Sequence, residues 1–171
     1  MTFEGAATRV VLADGASVWM REAQCEDWEA LRQMYLGLTD RTRYLYFCAG
    51  VPATEVWAER FATLGRADRQ VSYALVVTVD DAVVGLARFD RGTDSQSAEI
   101  GILLADEWQS RGLGRVVLNR LIDEARCRGI GMFTGHALWE NRRILRLVRS
   151  AFPHMRQECS RGDCELIMYF D

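Results

Sequence analysis

The sequence contains no lysine, so all 21 of its basic residues are arginines. This absence excludes a phosphate-binding loop of the G-x-x-x-x-G-K-[ST] type, because that loop needs a lysine to reach the phosphates. The formal net charge of −3 also disfavours nucleic-acid binding, which is typical of strongly basic domains or faces. We therefore expect no nucleic-acid partner.

Proline and long apolar runs are scarce as well. With two prolines, no internal repeat and no Pro/Gly/Ser-rich linker, the sequence predicts one domain over residues 1–171, with residues 1–15 as an N-terminal tail. No run approaches the ~18 apolar residues of a membrane helix, and the N-terminus lacks the pattern of a signal peptide. We expect a soluble, cytoplasmic protein without a membrane partner.

The five cysteines are scattered, and only His136 and His154 could complete a metal site with them. No C-x-x-C spacing is present, so we expect no bound metal. Cys159 and Cys164 flank the turn-like residues 161–163 and could face each other across a hairpin. A reducing cytosol would keep that pair as free thiols.

Hydrophobic periodicity predicts the element order β-α-α-β-β-β-α-β-α-β-β. The predicted strands cover residues 16–21, 71–79, 82–89, 98–104, 132–138, 155–160 and 165–170, and the helices cover 26–36, 54–64, a segment from about 112 to Gly129, and 141–150. Asp80-Asp81 marks an antiparallel hairpin. This order predicts a mixed α/β (α+β) fold with one central sheet and helices on both faces, rather than a doubly wound parallel sheet.

Residues 109–114 form the motif QSRGLG between a predicted strand and a predicted helix. Glycines let the backbone approach a ligand closely, and the free N–H groups at a helix start carry the positive end of its dipole. The motif therefore predicts an anion site. A diphosphate is the natural occupant, with Arg111 and Arg115 available for charge-assisted contacts. A dinucleotide fold is disfavoured because it would need G-x-G-x-x-G.

This motif and its context resemble the GNAT superfamily of N-acetyltransferases, whose acyl-CoA motif is [Q/R]-x-x-G-x-[G/A] between the fourth strand and the third helix. The resemblance covers residues 16–170. It implies a mostly antiparallel GNAT-type sheet that splays between the fourth and fifth strands, acetyl-CoA as the acyl donor, an amine as the acceptor and no metal. The implied donor-binding residues are Ile102 and Leu104 through their backbone, Gln109, Arg111, Gly112, Leu113, Gly114, Arg115, and Asn141 after the fifth strand.

Residues 12–47 resemble, more narrowly, the start of the acetyltransferase domain in bacterial Pat-type protein lysine acetyltransferases, although Tyr46 stands where an arginine is usual. The likeness adds a protein lysine to small-molecule amines as the expected acceptor. A homodimer is a compatible assembly.

Glu99 is the expected general base. A lysine ammonium has a pKa of ~10.4, so amine acetylation needs a group that accepts a proton. Pat-type enzymes carry their catalytic glutamate in an A-E-[IV] context, which Ala98-Glu99-Ile100 matches. An exposed, salt-bridging carboxylate is the alternative for Glu99. Many GNAT enzymes also place a proton-donating tyrosine seven residues after the asparagine, where this chain has Val148.

Two other sets of residues have open assignments. Arg142, Arg146 and Arg149 share a helix face and are candidates either for the 3′-phosphate of CoA or for a solvated basic surface. Tyr44 and Tyr46 are candidates either for an acceptor cleft or for the aromatic core.

The sequence thus supports two functions of different classes. One is an acetyl-CoA-dependent N-acetyltransferase that works by direct attack of the amine. The other, motivated by Val148, is a catalytically idle domain that binds acyl-CoA as a sensor or scaffold.

Overall fold

The computed structural model describes residues 7–66, 68, 70–94 and 96–170. The strands are β1 (Thr8–Val11), β2 (Ser17–Glu22), β3 (Ser72–Val79), β4 (Ala82–Arg91), β5 (Ser97–Leu104), β6 (Met132–Leu138), β7 (Arg156–Ser160) and β8 (Asp163–Tyr169). The helices are α1 (Trp28–Gly37), α2 (Asp40–Phe47), α3 (Glu55–Ala62), α4 (Leu113–Cys127) and α5 (Arg142–Ala151), with short 3₁₀ turns at Cys25–Asp27, Thr63–Gly65 and Asp106–Trp108. Among the described residues, none of the helices combines the length and the apolar character needed to cross a membrane.

The strands form a single sheet in the order β1-β2-β3-β4-β5-β6-β8-β7. Each neighbouring pair is antiparallel except β5 and β6, which run parallel. This parallel pairing covers only Ser97↔Met132 to Glu99↔Thr134, and the two strands separate beyond it. Because β5 and β6 are the fourth and fifth strands of the sequence prediction, the mostly antiparallel sheet and its splay are confirmed.

Helices cover both faces of the sheet, as predicted. On one face α4 and α5 bury residues such as Leu113, Val117, Leu121 and Leu145 against the strands. On the other face α1 and α3 form a second apolar cluster, which includes Leu31, Tyr35 and Phe61 and packs on β3, β4 and β5. Strand β5 contributes to both clusters because its side chains alternate between the two faces.

The predicted hairpins are present. Asp80 and Asp81, the two residues between β3 and β4, have φ of 47° and 67°, as a type I′ turn requires. At the other end of the chain, Cys159 on β7 pairs with Cys164 on β8. Their sulfur atoms form a disulfide in the structure, so the expectation that this pair would be free thiols is wrong for the structure as described.

Two elements are missing from the sequence prediction. Strand β1 lies within the segment 1–15 that we expected to be a tail, and it pairs antiparallel with β2 at the edge of the sheet. Helix α2 begins after Thr39, whose hydroxyl accepts the N–H of Thr42. Its Arg43 is 2% exposed and donates to the carbonyls of Leu38 and Val51. These tertiary bonds fix a helix that lacks a continuous apolar stripe.

Candidate functional site

A cavity of about 990 Å³ opens where β5 and β6 separate. Its walls come from β5, the loop into α4, the first turns of α4 and α5, part of α2, and the adjoining ends of β4, β6 and β8. A volume of this size is at the upper end of the range found for ligand sites in proteins. All of the predicted site residues except Arg111 and Leu113 line it.

The backbone of β5 is available to a ligand along one edge. The N–H of Ala105 donates to the Val84 carbonyl of the β4 side. Since an antiparallel ladder alternates between bonded and non-bonded pairs, the backbone groups of Ile102 and Leu104 point away from β4. They face the gap that β6 leaves open. The carbonyl of Leu104 accepts the side-chain amide of Gln109 at 2.9 Å, whereas the described residues provide no such bond to the Ile102 backbone.

The start of α4 forms the other part of this end of the cavity. Gly112, its N-cap, has φ +84° and no side chain to accept the first N–H groups of the helix, and a Cβ there would meet nothing within 4 Å. Gly114 lies against α5, where a Cβ would come 3.3 Å from Leu147 Cδ2. Leu113 is fully buried in the core, so only its backbone could contact a ligand. These are the features of an anion site at a helix N-terminus.

Arginines lie at the same end of the cavity. Arg115 lines it and donates to the carbonyl and hydroxyl of Ser150, and Arg143 lines it and donates to the Gln109 side chain. Gln109 therefore connects the loop, α5 and β5, which gives it a positioning role in the structure. The sequence analysis did not single out Arg143.

Several predicted donor-site arginines are placed elsewhere. Arg111 pairs with Asp14 at 2.6 Å and stacks on Trp108, which keeps its guanidinium out of the cavity lining. None of Arg142, Arg146 and Arg149 lines the cavity. Arg142 lies over the Trp139 ring, the Arg146 guanidinium donates to the Arg142 carbonyl, and Arg149 donates to Gln157. The structure thus favours the surface alternative for these three.

Asn141 is the N-cap of helix α5. Its side-chain oxygen accepts the Ile144 N–H at 3.3 Å and thereby caps α5. The residue also lines the cavity. Val148, at the position where a tyrosine was considered, is a buried core residue that borders the cavity and has no proton to offer.

Glu99 lies at the opposite end of the cavity, at the last paired position before β5 and β6 diverge. It is exposed, so its carboxylate is accessible to an acceptor from solvent. Tyr46 of α2 stands beside it. A Cβ on Gly101 would lie 3.0 Å from the Tyr46 hydroxyl, so the absence of a side chain at this position of β5 makes room for the ring.

The environment of Tyr46 holds its hydroxyl protonated. Burial raises the pKa of Tyr46 to about 12, the Arg88 charge opposes this shift, and the Asp90 and Glu99 charges add to it. Tyr44, the second candidate of the pair, does not line the cavity; it donates to Glu140 at 3.0 Å. Of the two tyrosines, the structure therefore brings only Tyr46 to the cavity.

The wall around Glu99 also contains Arg88 and Asp90 of β4, His136 of β6, and Asp163 and Glu165 of β8. The sequence analysis considered His136 only as a metal ligand and missed the other four. Two-residue spacing within a strand was the available signal, because Arg88 and Asp90 share one face of β4, as Asp163 and Glu165 share one face of β8. Only the strand order brings these two pairs to one cavity. Within the described part of the chain, no group of three or more His, Cys, Asp or Glu residues is arranged to hold a metal ion.

Known proteins are similar to this chain in sequence and in fold. The sequence model of the acetyltransferase (GNAT) family matches residues 23–152. Acetyltransferase PA5475 of Pseudomonas aeruginosa is 31% identical over 122 residues, which cover 69% of this chain and 64% of that protein. The chain therefore spans less than two thirds of the length of this relative.

Two solved structures have the same fold. The GNAT domain of S. lividans PAT superposes with a TM-score of 0.83 at 24% identity, covering 96% of this chain and 97% of that one. The acetyltransferase yncA of Salmonella typhimurium, solved with acetyl-CoA, has a TM-score of 0.63 at 23% identity, covering 91% and 95%. With the family match over most of its length, the chain belongs to the acetyltransferase (GNAT) family.

Proposed function

We propose that this chain transfers the acetyl group of acetyl-CoA to a primary amine by direct attack. One observation carries the proposal: a single cavity joins an anion site at the start of α4 to an exposed carboxylate, Glu99, along a stretch of unpaired β5 backbone. The acyl donor and the proton acceptor can thus occupy opposite ends of one site. The name of the Pseudomonas relative and the acetyl-CoA bound to the Salmonella protein support acetyl transfer from acetyl-CoA.

The residues at the α4 end fit acetyl-CoA. The N–H groups of the first turn of α4, with Arg115 and Arg143 beside them, suit a diphosphate. The Ile102 backbone faces the gap between the strands, where it can bond to the amides of a pantetheine arm. Acetyl-CoA, when bound, supplies an activated acetyl group. The remaining steps are tasks for side chains and backbone of this chain.

Glu99 takes the proton that the acceptor ammonium must lose before it becomes a nucleophile, directly or through one water molecule. Backbone N–H groups of β5 at the gap donate to the charge that develops on the acyl oxygen, an effect worth a few kcal/mol. Val148 has no proton to donate to the departing thiolate. A thiol pKa of ~8.5 makes that group a tolerable leaving group without an acid.

The test is release of free CoA thiol from acetyl-CoA in the presence of a panel of amines, with wild type compared with Glu99→Gln. We expect amine-dependent thiol release, and a decrease in kcat of ~10²–10⁴ in the variant at neutral pH with little change in acetyl-CoA affinity. The loss should shrink as pH rises, because more of the amine is then already neutral. Glu59→Gln is the matched control, since Glu59 is exposed on α3 away from the cavity.

Binding of acetyl-CoA without any amine-dependent thiol release would instead support the sensor or scaffold function. An unchanged kcat in Glu99→Gln would show that Glu99 is not the general base and has only a structural role.

A further inference from the structure

The wall around Glu99 is strongly acidic on one face of the sheet. Glu99 pairs in register with Thr134 of β6 and with Asp90 of β4. His136, two residues beyond Thr134, pairs with Glu165 of β8, and Leu138 pairs with Asp163. Because directly paired residues share a face, Asp90, Glu99, Asp163 and Glu165 all project to the side of the sheet where the acceptor must enter.

Arg88, the arginine within this wall, already has hydrogen-bond partners in the protein. The Arg88 guanidinium donates to both carboxylate oxygens of Asp90 and to the Leu64 carbonyl. The other arginines that line the cavity, Arg115 and Arg143, lie at the diphosphate end. No arginine among the described cavity residues is therefore free to bind a carboxylate beside the acceptor amine. His136, which also lines the cavity and pairs with Glu165, could donate one hydrogen bond to such a carboxylate, but the carboxylate would still meet Glu99, Asp163 and Glu165 without an arginine to compensate their charge.

A second observation points to a polar ligand at this wall. The Tyr46 hydroxyl lies next to Gly101 within the influence of Arg88, Asp90 and Glu99, and the described residues provide no hydrogen-bond partner for it. Tyr46 is partly exposed and lines the cavity, so this hydroxyl is free to bond to an acceptor at Glu99 or to water.

We infer that the acceptor is a primary amine that carries a second positive charge and no carboxylate next to the amine, and that Glu165, assisted by Asp163, binds the second charge. This inference rests on the proposed function. It adds the acceptor class: either a free diamine or a lysine with a basic residue close by in a peptide has this chemistry, whereas a free amino acid lacks it.

The sheet geometry sets the distance between the two charges. Glu165 is two strands from Glu99 and two residues further along, which places their Cα atoms roughly 12 Å apart for ordinary strand spacing and rise. Both side chains are exposed on the same face and can lean toward each other. A second charge roughly 6–12 Å from the reacting amine therefore fits both carboxylates.

The experiment compares four acceptors with saturating acetyl-CoA: 1,5-diaminopentane, pentylamine, alanine, and a short peptide with one lysine between two arginines. We expect kcat/KM to be highest for the diamine or the peptide, lower for pentylamine and lowest for alanine. A better diamine identifies a small-molecule acceptor, and a better peptide identifies a polypeptide acceptor. The preference over pentylamine should weaken between about 0.01 M and 1 M salt, as the Debye length falls from about 30 Å to about 3 Å.

Glu165→Gln tests the residue assignment. We expect KM for the dicationic acceptor to rise ~2–5-fold, the range for an exposed ion pair, with KM for pentylamine and for acetyl-CoA unchanged. Glu59→Gln removes the same charge from α3 and should change none of these values. Equal kcat/KM for pentylamine and the dications, efficient acetylation of alanine, or an equal effect of Glu165→Gln on mono- and dications would overturn the inference. Absence of turnover with every amine would instead count against the proposed function itself.

Discussion

Substitution of Gly112 tests the acyl-donor end of the cavity most directly, because two different side chains at this position separate backbone strain from charge. Gly112 is the N-cap of α4, at φ +84°, and a Cβ there would meet nothing within 4 Å. Gly112→Ala therefore introduces only the cost of a left-handed backbone, ~1–2 kcal/mol. Gly112→Asp has a smaller backbone cost, because Asp tolerates the left-handed region better and favours the N-cap of a helix, and it adds a negative charge where we place the diphosphate.

The expected sizes follow from ligand linkage. Acetyl-CoA at a hundredfold excess over Kd stabilises the native state by ~2.7 kcal/mol, which corresponds to an increase in Tm of about 5–11 °C for a chain of this length. A carboxylate ~5 Å from one phosphate charge costs ~3 kcal/mol at an effective dielectric constant of ~20. That cost weakens binding by ~150-fold, so the same ligand concentration would raise Tm by only about 1 °C.

The assay is thermal unfolding of wild type, Gly112→Ala and Gly112→Asp with and without acetyl-CoA. Without ligand, Gly112→Ala should melt lower than wild type, and Gly112→Asp should lose less, because an Asp at the N-cap offsets part of the strain. With ligand, Gly112→Ala should keep most of the wild-type shift, because its strain is the same in the free and bound states, and Gly112→Asp should lose it. An undiminished shift in Gly112→Asp would place acetyl-CoA elsewhere and refute the assignment of the α4 N-terminus.

Three further predictions concern self-acetylation and the stability of the fold. Because it contains no lysine, incubation with labelled acetyl-CoA should leave internal positions unlabelled, and intact mass spectrometry that found a hydroxylamine-labile acetyl group would indicate a cysteine intermediate and not direct transfer. Asp106 accepts hydrogen bonds from Thr39 and Thr42. Burial raises the pKa of Asp106, but these bonds outweigh burial and the net pKa is lowered. The carboxylate therefore stabilises the fold above its unfolded pKa of ~3.9, and this contribution is lost as pH falls through the folded pKa. Denaturant unfolding should accordingly show Asp106→Asn less stable by ~1–3 kcal/mol at pH 7, with a gap to wild type that narrows below about pH 4; a constant gap would contradict this. Arg43→Met should lower the free energy of unfolding by ~2–5 kcal/mol, since it leaves the buried Leu38 carbonyl and the partly buried Val51 carbonyl without their donor. A loss under ~0.5 kcal/mol would show that water replaces the guanidinium.

The sequence predicted the elements whose pattern is local. The apolar runs of β3 and β4, the turn residues Asp80 and Asp81, and the apolar stripe of α4 each fix a strand, a hairpin or a helix within a few residues. Strand β1 and helix α2 were missed because their stability comes from bonds to residues outside each element. The four residues of β1 gain their order from pairing with β2, and α2 depends on the bonds of Arg43 and on Asp106, which follows β5.

The two ends of the candidate site also differ in how well the sequence predicts them. Gly112, Gly114 and the neighbouring β5 backbone lie within one continuous segment, so a motif could indicate them together. Asp90 and Glu99 lie on the consecutive strands β4 and β5, but Asp163 and Glu165 lie on β8, near the other end of the chain. The two-residue spacing of Asp163 and Glu165 shows that they share a face, but only the strand order β4-β5-β6-β8 shows that this face adjoins Glu99.

This difference has a topological cause. Strands β5 and β6 are parallel, and a parallel pair needs a crossover, here α4, which must start where β5 ends. The helix N-terminus, the end of β5 and the gap between the strands are therefore brought together by the fold itself. The acceptor wall has no comparable backbone constraint. It consists of exposed side chains on the face beside Glu99, where a substitution such as Glu165→Gln costs the fold little. The choice of acceptor can thus change while the acyl-donor site stays the same, and for this reason charge substitutions on β4 and β8 are the informative tests of specificity.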